Sequence, residues 1–231
     1  MINIYDCINA VILTNRKIIM TTLFLDIETI PSQLDWVKEQ IAQSIKPPAT
    51  ISKAETIEAW WRDKSRNAID DEYRKTSFDG TYGQITCIGY AFDDEPVQTV
   101  GTHLQMTEHT ILADFAADIN SRKITKIVGH NIIDFDLEFI KKRSIINGVK
   151  IELPFLASKY DSIFYDTMTK WSAQKRISMD KLARVLGIEG KGDIDGSMVW
   201  DMHQRGEHQA IADYCADDVR IVRDIYKRMI G

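Results

Sequence analysis

The sequence contains 231 residues, of which 44% are hydrophobic and 27% are charged, and its formal net charge is −5. This composition is typical of a globular protein and excludes wholesale disorder and collagen-like repetition. The negative charge argues against a protein that coats nucleic acid through many lysine and arginine contacts, but it permits a nuclease that meets phosphate through metal ions. No stretch approaches the roughly 18 uncharged apolar residues of a membrane-spanning helix. The three scattered cysteines, without a CxxC pair, indicate a reduced, cytoplasmic protein.

The length predicts one α/β domain, which we place at residues 20–231. Residues 1–19 do not resemble a secretory signal, because the basic residues Arg16 and Lys17 follow the apolar run. We expect this stretch to be an N-terminal extension of uncertain role. A protein that begins at Met20 is therefore expected to keep its solubility and activity.

The predicted elements alternate between strands and helices. A strand over TTLFLDIETIP is followed by a helical insert at about 32–82, with helical periodicity at 34–43 and 54–75. Further strands are predicted at 84–92, 97–100, 126–131 and 162–166, and helices at 108–120, about 133–146, 178–187 and 207–229. This order predicts a mixed sheet with helices packed on it.

Acidic residues stand out in three of these elements. Asp26 and Glu28 are two apart on the first strand, so both side chains point to the same face. On the helix that we predict from about Ile133, Asp136 interrupts the apolar face, where an unpaired charge is costly. An ordinary strand end with solvated acids and a capped or ion-paired buried acid are the alternatives.

The last predicted helix repeats this pattern. Asp218 falls within the apolar stripe, whereas Asp213 and Asp217 lie on other faces. Tyr214 is one turn before Asp218, so the two side chains are neighbours; a core aromatic is the simpler reading of this tyrosine. Four acids on one strand and two helices suit two hard divalent cations such as Mg²⁺ or Mn²⁺. Zinc is not indicated, because the histidines lack cysteine partners.

Three stretches carry a family resemblance: LDIETIP at 25–31, GHNIIDFDLEFI at 129–140 and YCADDV at 214–219. In this order they resemble the three motifs of the DEDD (DnaQ-like) 3′–5′ exonuclease superfamily. The set is most similar to the proofreading domain of family B DNA polymerases and its stand-alone relatives. The second motif has the form N-x-x-x-F-D, which selects Asp136 over Asp134. The third has the Y-x-x-x-D form of the tyrosine branch.

The histidine branch is the competing interpretation of the third motif. His208 and Asp213 have its H-x-x-x-x-D spacing. Asp213 points away from the apolar stripe while Asp218 lies in it, which favours Tyr214 and Asp218.

The resemblance implies an RNase H-like fold, a five-stranded mixed sheet flanked by helices. It also implies a 3′–5′ exonuclease in which two Mg²⁺ or Mn²⁺ ions are held by Asp26, Glu28, Asp136 and Asp218. A water oriented by Tyr214 would attack the 3′-terminal phosphodiester and release a nucleoside 5′-monophosphate. The implied partners are single-stranded nucleic acid with a free 3′ end and a polymerase or another replication or repair protein.

Contacts to the substrate are predicted from local charge and from motif neighbours. Residues 170–191 combine six basic residues with two acids and Trp171, a composition that suits backbone binding and base stacking. A solvated helix face is the alternative. The candidate substrate-binding residues are Thr29, Asn131, Trp171, Lys175, Arg176 and Lys191. Asn131 is equally a candidate N-cap of the Asp136 helix. Trp60 and Trp61 are candidates for a flap over the 3′ end, although core packing of at least one of them is the simpler reading.

Two other functions compete with a single-strand DNA exonuclease. One is a catalytically silent nucleic-acid-binding module on the same fold, which the intact acids argue against. The other is an exoribonuclease, because recognition of the 2′-hydroxyl depends on loop geometry.

Overall fold

The computed structural model describes residues 21–158, 160–190, 192 and 194–231. The predictions about residues 1–19, the start at Met20 and the side chain of Lys191 lie outside this part of the chain.

The five strands seen in the described residues form one mixed sheet in the order β3-β2-β1-β4-β5. Their bounds are β1 Thr21–Ile30, β2 Gln84–Phe92, β3 Gln98–Gly101, β4 Ile124–Gly129 and β5 Phe164–Asp166. β2 is antiparallel to β1 and β3, whereas β4 is parallel to β1 and β5. The predicted mixed sheet is confirmed, with a fifth strand that begins two residues later than expected.

The helices pack on both faces of this sheet. Their bounds are α1 Asp35–Ser44, α2 Ala54–Asp63, α3 Ser65–Lys75, α4 Glu108–Asn120, α5 Asp136–Asn147, α6 Thr167–Trp171, α7 Met179–Val185, α8 Val199–Gln204 and α9 His208–Ile230. Short 3₁₀ turns occupy Thr76–Phe78, Thr102–Leu104 and Gly196–Met198. Among the described helices, none combines the length and the apolar character needed to cross a bilayer.

Alternation along β1 divides the core between the two faces. Leu23, Leu25 and Ile27 face α4 and α5 and join a cluster that contains Ile111, Phe115 and Ile140. Phe24 faces the opposite way and joins a cluster with Leu182 of α7 and Val222 of α9. Asp26 and Glu28 follow Phe24 at intervals of two, so the sheet directs them to the face that α9 covers.

A bulge interrupts the pairing of β1 and β2 next to these acids. Glu28 lies opposite Cys87, but Thr29 lies opposite Ile85, so β2 carries one extra residue at Thr86. A bulge shifts the side-chain alternation by one residue. Ile85 therefore returns to the core cluster that contains Ile88.

The chain between β1 and β2 contains the helices α1, α2 and α3. Trp60 is buried and Trp61 is 43% exposed, and their rings meet edge to face with centroids 5.0 Å apart. One tryptophan of this pair is therefore packed, as the simpler reading of the sequence expected. The hydroxyl of Tyr73 on α3 donates to the carbonyl of Ser32 at 2.6 Å, which holds α3 beside the end of β1.

Candidate active site

Asp26 and Glu28 lie side by side on the central strand β1. Glu28 is 6% exposed, and Asp26 is partly buried. Two carboxylates on one face of a buried strand repel each other unless a proton or a cation lies nearby. The strand thus places two negative charges where water screens them poorly.

Asp136 reaches this strand from α5. The carboxylate is 3% exposed, and its Oδ1 accepts a hydrogen bond from the backbone N–H of Ile27 at 3.1 Å. Ile27 stands between the two acids of β1, so this bond fixes Asp136 beside them. Burial, and then the negative charges of Asp166 and Asp218, raise the pKa of Asp136 to about 8.

The predicted start of the Asp136 helix is wrong. We expected a helix from about Ile133, but α5 begins at Asp136, and the preceding residues form a turn. In this turn the N–H of Phe135 donates to the carbonyl of Asn131 at 3.1 Å. Asp136 is buried as predicted, and it begins the buried face of α5 that continues with Phe139 and Ile140.

Asn131 is not the N-cap of this helix. The capping position is Phe135, four residues later, and no side chain caps it. Asn131 adopts a left-handed backbone with φ +61°, a conformation that asparagine tolerates better than most residues. Its buried Oδ1 has no hydrogen-bond partner among the described residues. Asn131 therefore holds an unsatisfied acceptor at the start of the turn that leads to Asp136.

Asp218 and Tyr214 enter from α9. They are 4% and 6% exposed, whereas Asp213 and Asp217 face solvent as expected. Burial raises the pKa of Tyr214 above its usual value, and so do the charges of Asp218, Glu28 and Asp26 and a hydrogen bond with Asp218. The phenol is thus surrounded by acids from two elements, and it stays protonated at neutral pH.

The sequence reasoning missed the residue that brings α9 this close. Gly89 lies opposite Asp26 on β2. A Cβ on Gly89 would stand 2.9 Å from Cys215 Sγ and 3.0 Å from Val219 Cγ2, both on α9. Only glycine allows the helix to approach β2 so closely. A lone glycine inside an apolar strand was the available signal.

Cys215 is a second residue that the motif reading passed over. One ligand atom each from Asp26, Glu28 and Cys215 lie within 4.8 Å of one another. Burial raises the pKa of the Cys215 thiol well above its ordinary value, so the sulfur is protonated. It contacts the carbonyl of Asp26 at 3.6 Å and its Oδ2 at 3.8 Å. The oxygen atoms are therefore the donors that this cluster offers to a cation.

Asp166, at the end of β5, is a further buried acid that the sequence reasoning did not select. Its Oδ1 accepts hydrogen bonds from the N–H groups of Asn131 at 3.1 Å, Met168 at 3.0 Å and Thr169 at 3.3 Å. An aspartate directly before a helix is an N-cap signal, and Asp166 caps α6. The same oxygen holds Asn131 in place.

The remaining predicted contacts to the substrate differ in their exposure. The Thr29 hydroxyl donates to the carbonyl of Ser77 at 2.7 Å, so it is engaged within the protein. Trp171 is 44% exposed at the end of α6, and Lys175 and Arg176 are exposed in the segment before α7. The exposed ring and cations are accessible to a ligand.

The histidine of the competing third motif lies elsewhere. His208 Nδ1 is 3.2 Å from the Thr102 hydroxyl, and its ring packs against that of His203 at a centroid distance of 4.8 Å. Asp213 accepts a hydrogen bond from Gln209 on the exposed face of α9. These contacts turn His208 toward the 3₁₀ turn after β3.

Residues 82–229 match the family of predicted 3′–5′ exonucleases related to the exonuclease domain of PolB. The chain belongs to this family. The match covers the second and third motifs but begins after β1, which supplies Asp26 and Glu28. No curated protein sequence matches the chain.

The fold is similar to part of a solved polymerase structure. The family B DNA polymerase from the hyperthermophilic archaeon Pyrobaculum calidifontis aligns with a TM-score of 0.58 and 13% sequence identity. The alignment covers 91% of this chain and 24% of the polymerase chain, so the chain spans about a quarter of that protein. At this identity the similarity concerns the fold alone, and it confirms the RNase H-like expectation.

Proposed function

We propose that this protein is a metal-dependent 3′–5′ exonuclease that hydrolyses single-stranded nucleic acid, DNA in particular, and releases nucleoside 5′-monophosphates. The observation that carries the proposal is the convergence of Asp26, Glu28, Asp136 and Asp218 from three elements. The hydrogen bond from the Ile27 N–H to Asp136 connects α5 to the strand of Asp26 and Glu28. The charges of Asp218, Glu28 and Asp26 all raise the pKa of Tyr214, so these three acids lie around the same phenol. Membership of a family of predicted exonucleases supports this reading.

The four carboxylates fit two hard divalent cations. Carboxylate oxygens are the ligands that Mg²⁺ and Mn²⁺ prefer, and four negative charges offset two dications. The pKa of Asp136 is raised because the carboxyl is buried and its charged neighbours are also acids, an arrangement that a cation would stabilise. Two bound ions would supply the charge that polarises the phosphodiester and favours ionisation of water.

Tyr214 is proposed to orient the attacking water. Burial is the largest cause of its raised pKa, so the phenol remains a neutral hydrogen-bonding group and not a phenolate base. The hydrogen bond with Asp218 directs the hydroxyl toward the acids. His208 is not proposed to take part, because its ring is engaged with Thr102 and His203.

The substrate is proposed to lie along the exposed surface near the acids. Trp171 would stack on a base, while Lys175, Arg176 and Lys191 would contact phosphates and Asn131 the strand end. Single-stranded nucleic acid with a free 3′ end is the proposed partner. A polymerase is a proposed protein partner on structural similarity alone.

Digestion of 5′-labelled single-stranded DNA and RNA with Mg²⁺, Mn²⁺ or a chelator tests this function. We expect a ladder that shortens from the 3′ end with either metal, and no cleavage with chelator. Asp136→Asn should abolish cleavage, whereas Asp134→Asn, which alters an exposed acid two residues earlier, should leave it unchanged. Full activity in chelator or in Asp136→Asn would overturn the two-metal proposal. Tight binding without cleavage would identify a silent binding module.

A further inference from the structure

Residues 76–83, which we name the bridging segment, connect α3 to β2. They contact β1, which carries Asp26 and Glu28, and α5, which begins at Asp136. At β1, the Thr29 hydroxyl donates to the Ser77 carbonyl at 2.7 Å. At α5, Lys142 Nζ pairs with Asp79 at 3.0 Å and Arg143 Nη1 donates to the Gly80 carbonyl at 3.4 Å. The segment therefore lies between the strand of Glu28 and the helix that begins at Asp136.

The bridging segment is held tightly in this position. A Cβ on Gly80 would lie 3.0 Å from Phe139 Cα, and one on Gly83 would lie 2.6 Å from the Thr76 carbonyl oxygen. Within the segment, the N–H groups of Tyr82 and Gly83 both donate to the carbonyl of Asp79, at 3.0 and 2.9 Å. Close packing and local hydrogen bonds fix the backbone relative to β1 and α5.

Phe78 projects from this fixed backbone into solvent. Its exposed fraction is 69%, although both of its chain neighbours are anchored, Ser77 to β1 and Asp79 to α5. Single exposed apolar residues are common on protein surfaces. What distinguishes Phe78 is its place. Its neighbour Ser77 is held by Thr29 of β1, and its neighbour Asp79 is held by Lys142 of α5, so Phe78 lies between anchors on the two elements that carry Glu28 and Asp136. On a fixed backbone, only the two side-chain torsions of the ring lose freedom when a ligand covers it.

We propose that Phe78 stacks on a base within two nucleotides of the 3′ end of a bound strand, which makes the insert part of the substrate-binding surface. The inference rests on the proposed function, because that function brings the strand end to the acids of β1 and α5, the two elements that anchor the residues beside Phe78. Aromatic rings stack on any base, so this contact selects an unpaired strand and not a sequence. It would serve a nuclease that removes every base in turn.

The test combines variants of Phe78 with oligonucleotides that lack single bases. We would measure kcat and KM for single-stranded DNA with normal bases and with an abasic residue at each of the last three positions. Phe78→Ala should lower kcat/KM on normal strands by roughly 5- to 150-fold, mainly through KM. Phe78→Trp should retain the wild-type value, and Phe78→Leu should lose most of it. Leu104→Ala, at a 56% exposed apolar residue beyond the edge strand β3, is the matched control.

Stacking predicts a specific coupling between protein and substrate. A strand that is abasic at the stacked position should be cleaved equally by the wild type and by Phe78→Ala, because neither complex has the contact. Equal losses on normal and abasic strands would overturn the inference and indicate a structural role for Phe78. A wild type that cleaves while Phe78→Ala matches it would remove the inference and leave the exonuclease intact. A wild type that neither cleaves nor binds single strands would remove both.

Discussion

Helix α5 carries two buried charged residues, Asp136 and Arg143, whose neighbouring charges have opposite relations to them. At its first residue, Asp136 is buried beside other acids, and burial, followed by the charges of Asp166 and Asp218, raises its pKa. Two turns later, Arg143 forms a two-point ion pair with Glu108, at 2.8 and 2.6 Å, with side chains only 6% and 8% exposed. One group concentrates like charge and the other neutralises it.

The ion pair has the complete hydrogen bonding of a structural element. Besides Arg143, the Glu108 carboxylate accepts bonds from the N–H of Ile85 at 2.8 Å and from Asn147 Nδ2 at 3.0 Å. These bonds join α4, α5 and β2. A buried pair of this kind depends on both partners, since removal of one leaves an uncompensated charge.

Among the described residues, no basic side chain compensates Asp136 in this way. Its hydrogen bond from Ile27 favours the charged form, but burial and two neighbouring acids oppose it. The difference teaches that burial alone does not mark a functional acid. The sign of the neighbouring charges separates the proposed cation site from the ion pair that stabilises the fold.

The sharpest contrast between the two groups should appear in activity. Asp218→Asn removes a proposed metal ligand and should lower kcat for single-stranded DNA by roughly 10³-fold or more. Asp217→Asn changes the exposed neighbour and should have no effect. Gel-resolved digestion with Mg²⁺ measures both. Comparable losses in the two variants would mean that the charge of α9, and not the buried ligand, matters.

Within the acid group, Tyr214→Phe removes the hydroxyl that we propose orients the attacking water, and it should slow the reaction by less than the ~10²–10⁴-fold that loss of a proton-transfer group costs. His208→Ala should leave the rate within about twofold, because its ring contacts Thr102 and His203. Single-turnover rates with saturating enzyme provide the measurement. The reverse ranking of these variants would assign the site to the histidine branch.

In the ion pair, the expected loss is in stability. Arg143→Met leaves Glu108 charged and buried, and it should lower the free energy of unfolding by about 3–5 kcal/mol. Lys142→Met is the matched control on the next residue: its ion pairs with Asp79 and Glu138 are partly exposed, so the loss should be below about 1 kcal/mol. Urea unfolding measures both values. A stable Arg143→Met would show that Glu108 protonates or rehydrates without cost.

The smallest effect concerns pH. The pKa of Asp136 is about 8 in the folded protein, against 3.8 as its ordinary value, so between these values the folded state holds a proton that the unfolded state has lost. Without metal, this carboxyl therefore stabilises the fold less as pH rises toward 8, by about 1.4 kcal/mol per pH unit. Urea unfolding in chelator at pH 5.5 and 7.5 should reveal this slope. It should be shallower in Asp136→Asn, and identical slopes would contradict the raised pKa.

Local patterns in the sequence were sufficient for most elements. Strands β1 and β2 and helices α4 and α9 have strong apolar periodicity, and each was predicted to within a few residues. The start of α5 was not, because the residues before Asp136 have helical apolar spacing but fold as a turn. The spacing of side chains does not reveal that Asn131 takes a left-handed backbone.

The sequence by itself determined the mixed α/β class, the acids that interrupt buried elements and the neighbouring positions of Tyr214 and Asp218 on one helix. These features follow from periods of two and 3.6 residues, which are local properties of the chain. The positions of these acids on apolar faces predicted a shared site for divalent cations, and the family resemblance added the exonuclease function and the role of Tyr214. Periodicity carries no information about which elements meet.

Only the tertiary structure decided which acids are neutralised and which meet. Asp136 and Arg143 share a helix, but their partners come from β1 and from α4, which are distant in sequence. The approach of α9 to Asp26 depends on the missing side chain of Gly89, and the position of Phe78 depends on contacts with two separate elements. The electrostatic energy of a buried charge depends on distances of a few ångströms to such groups, and the folded chain alone sets those distances.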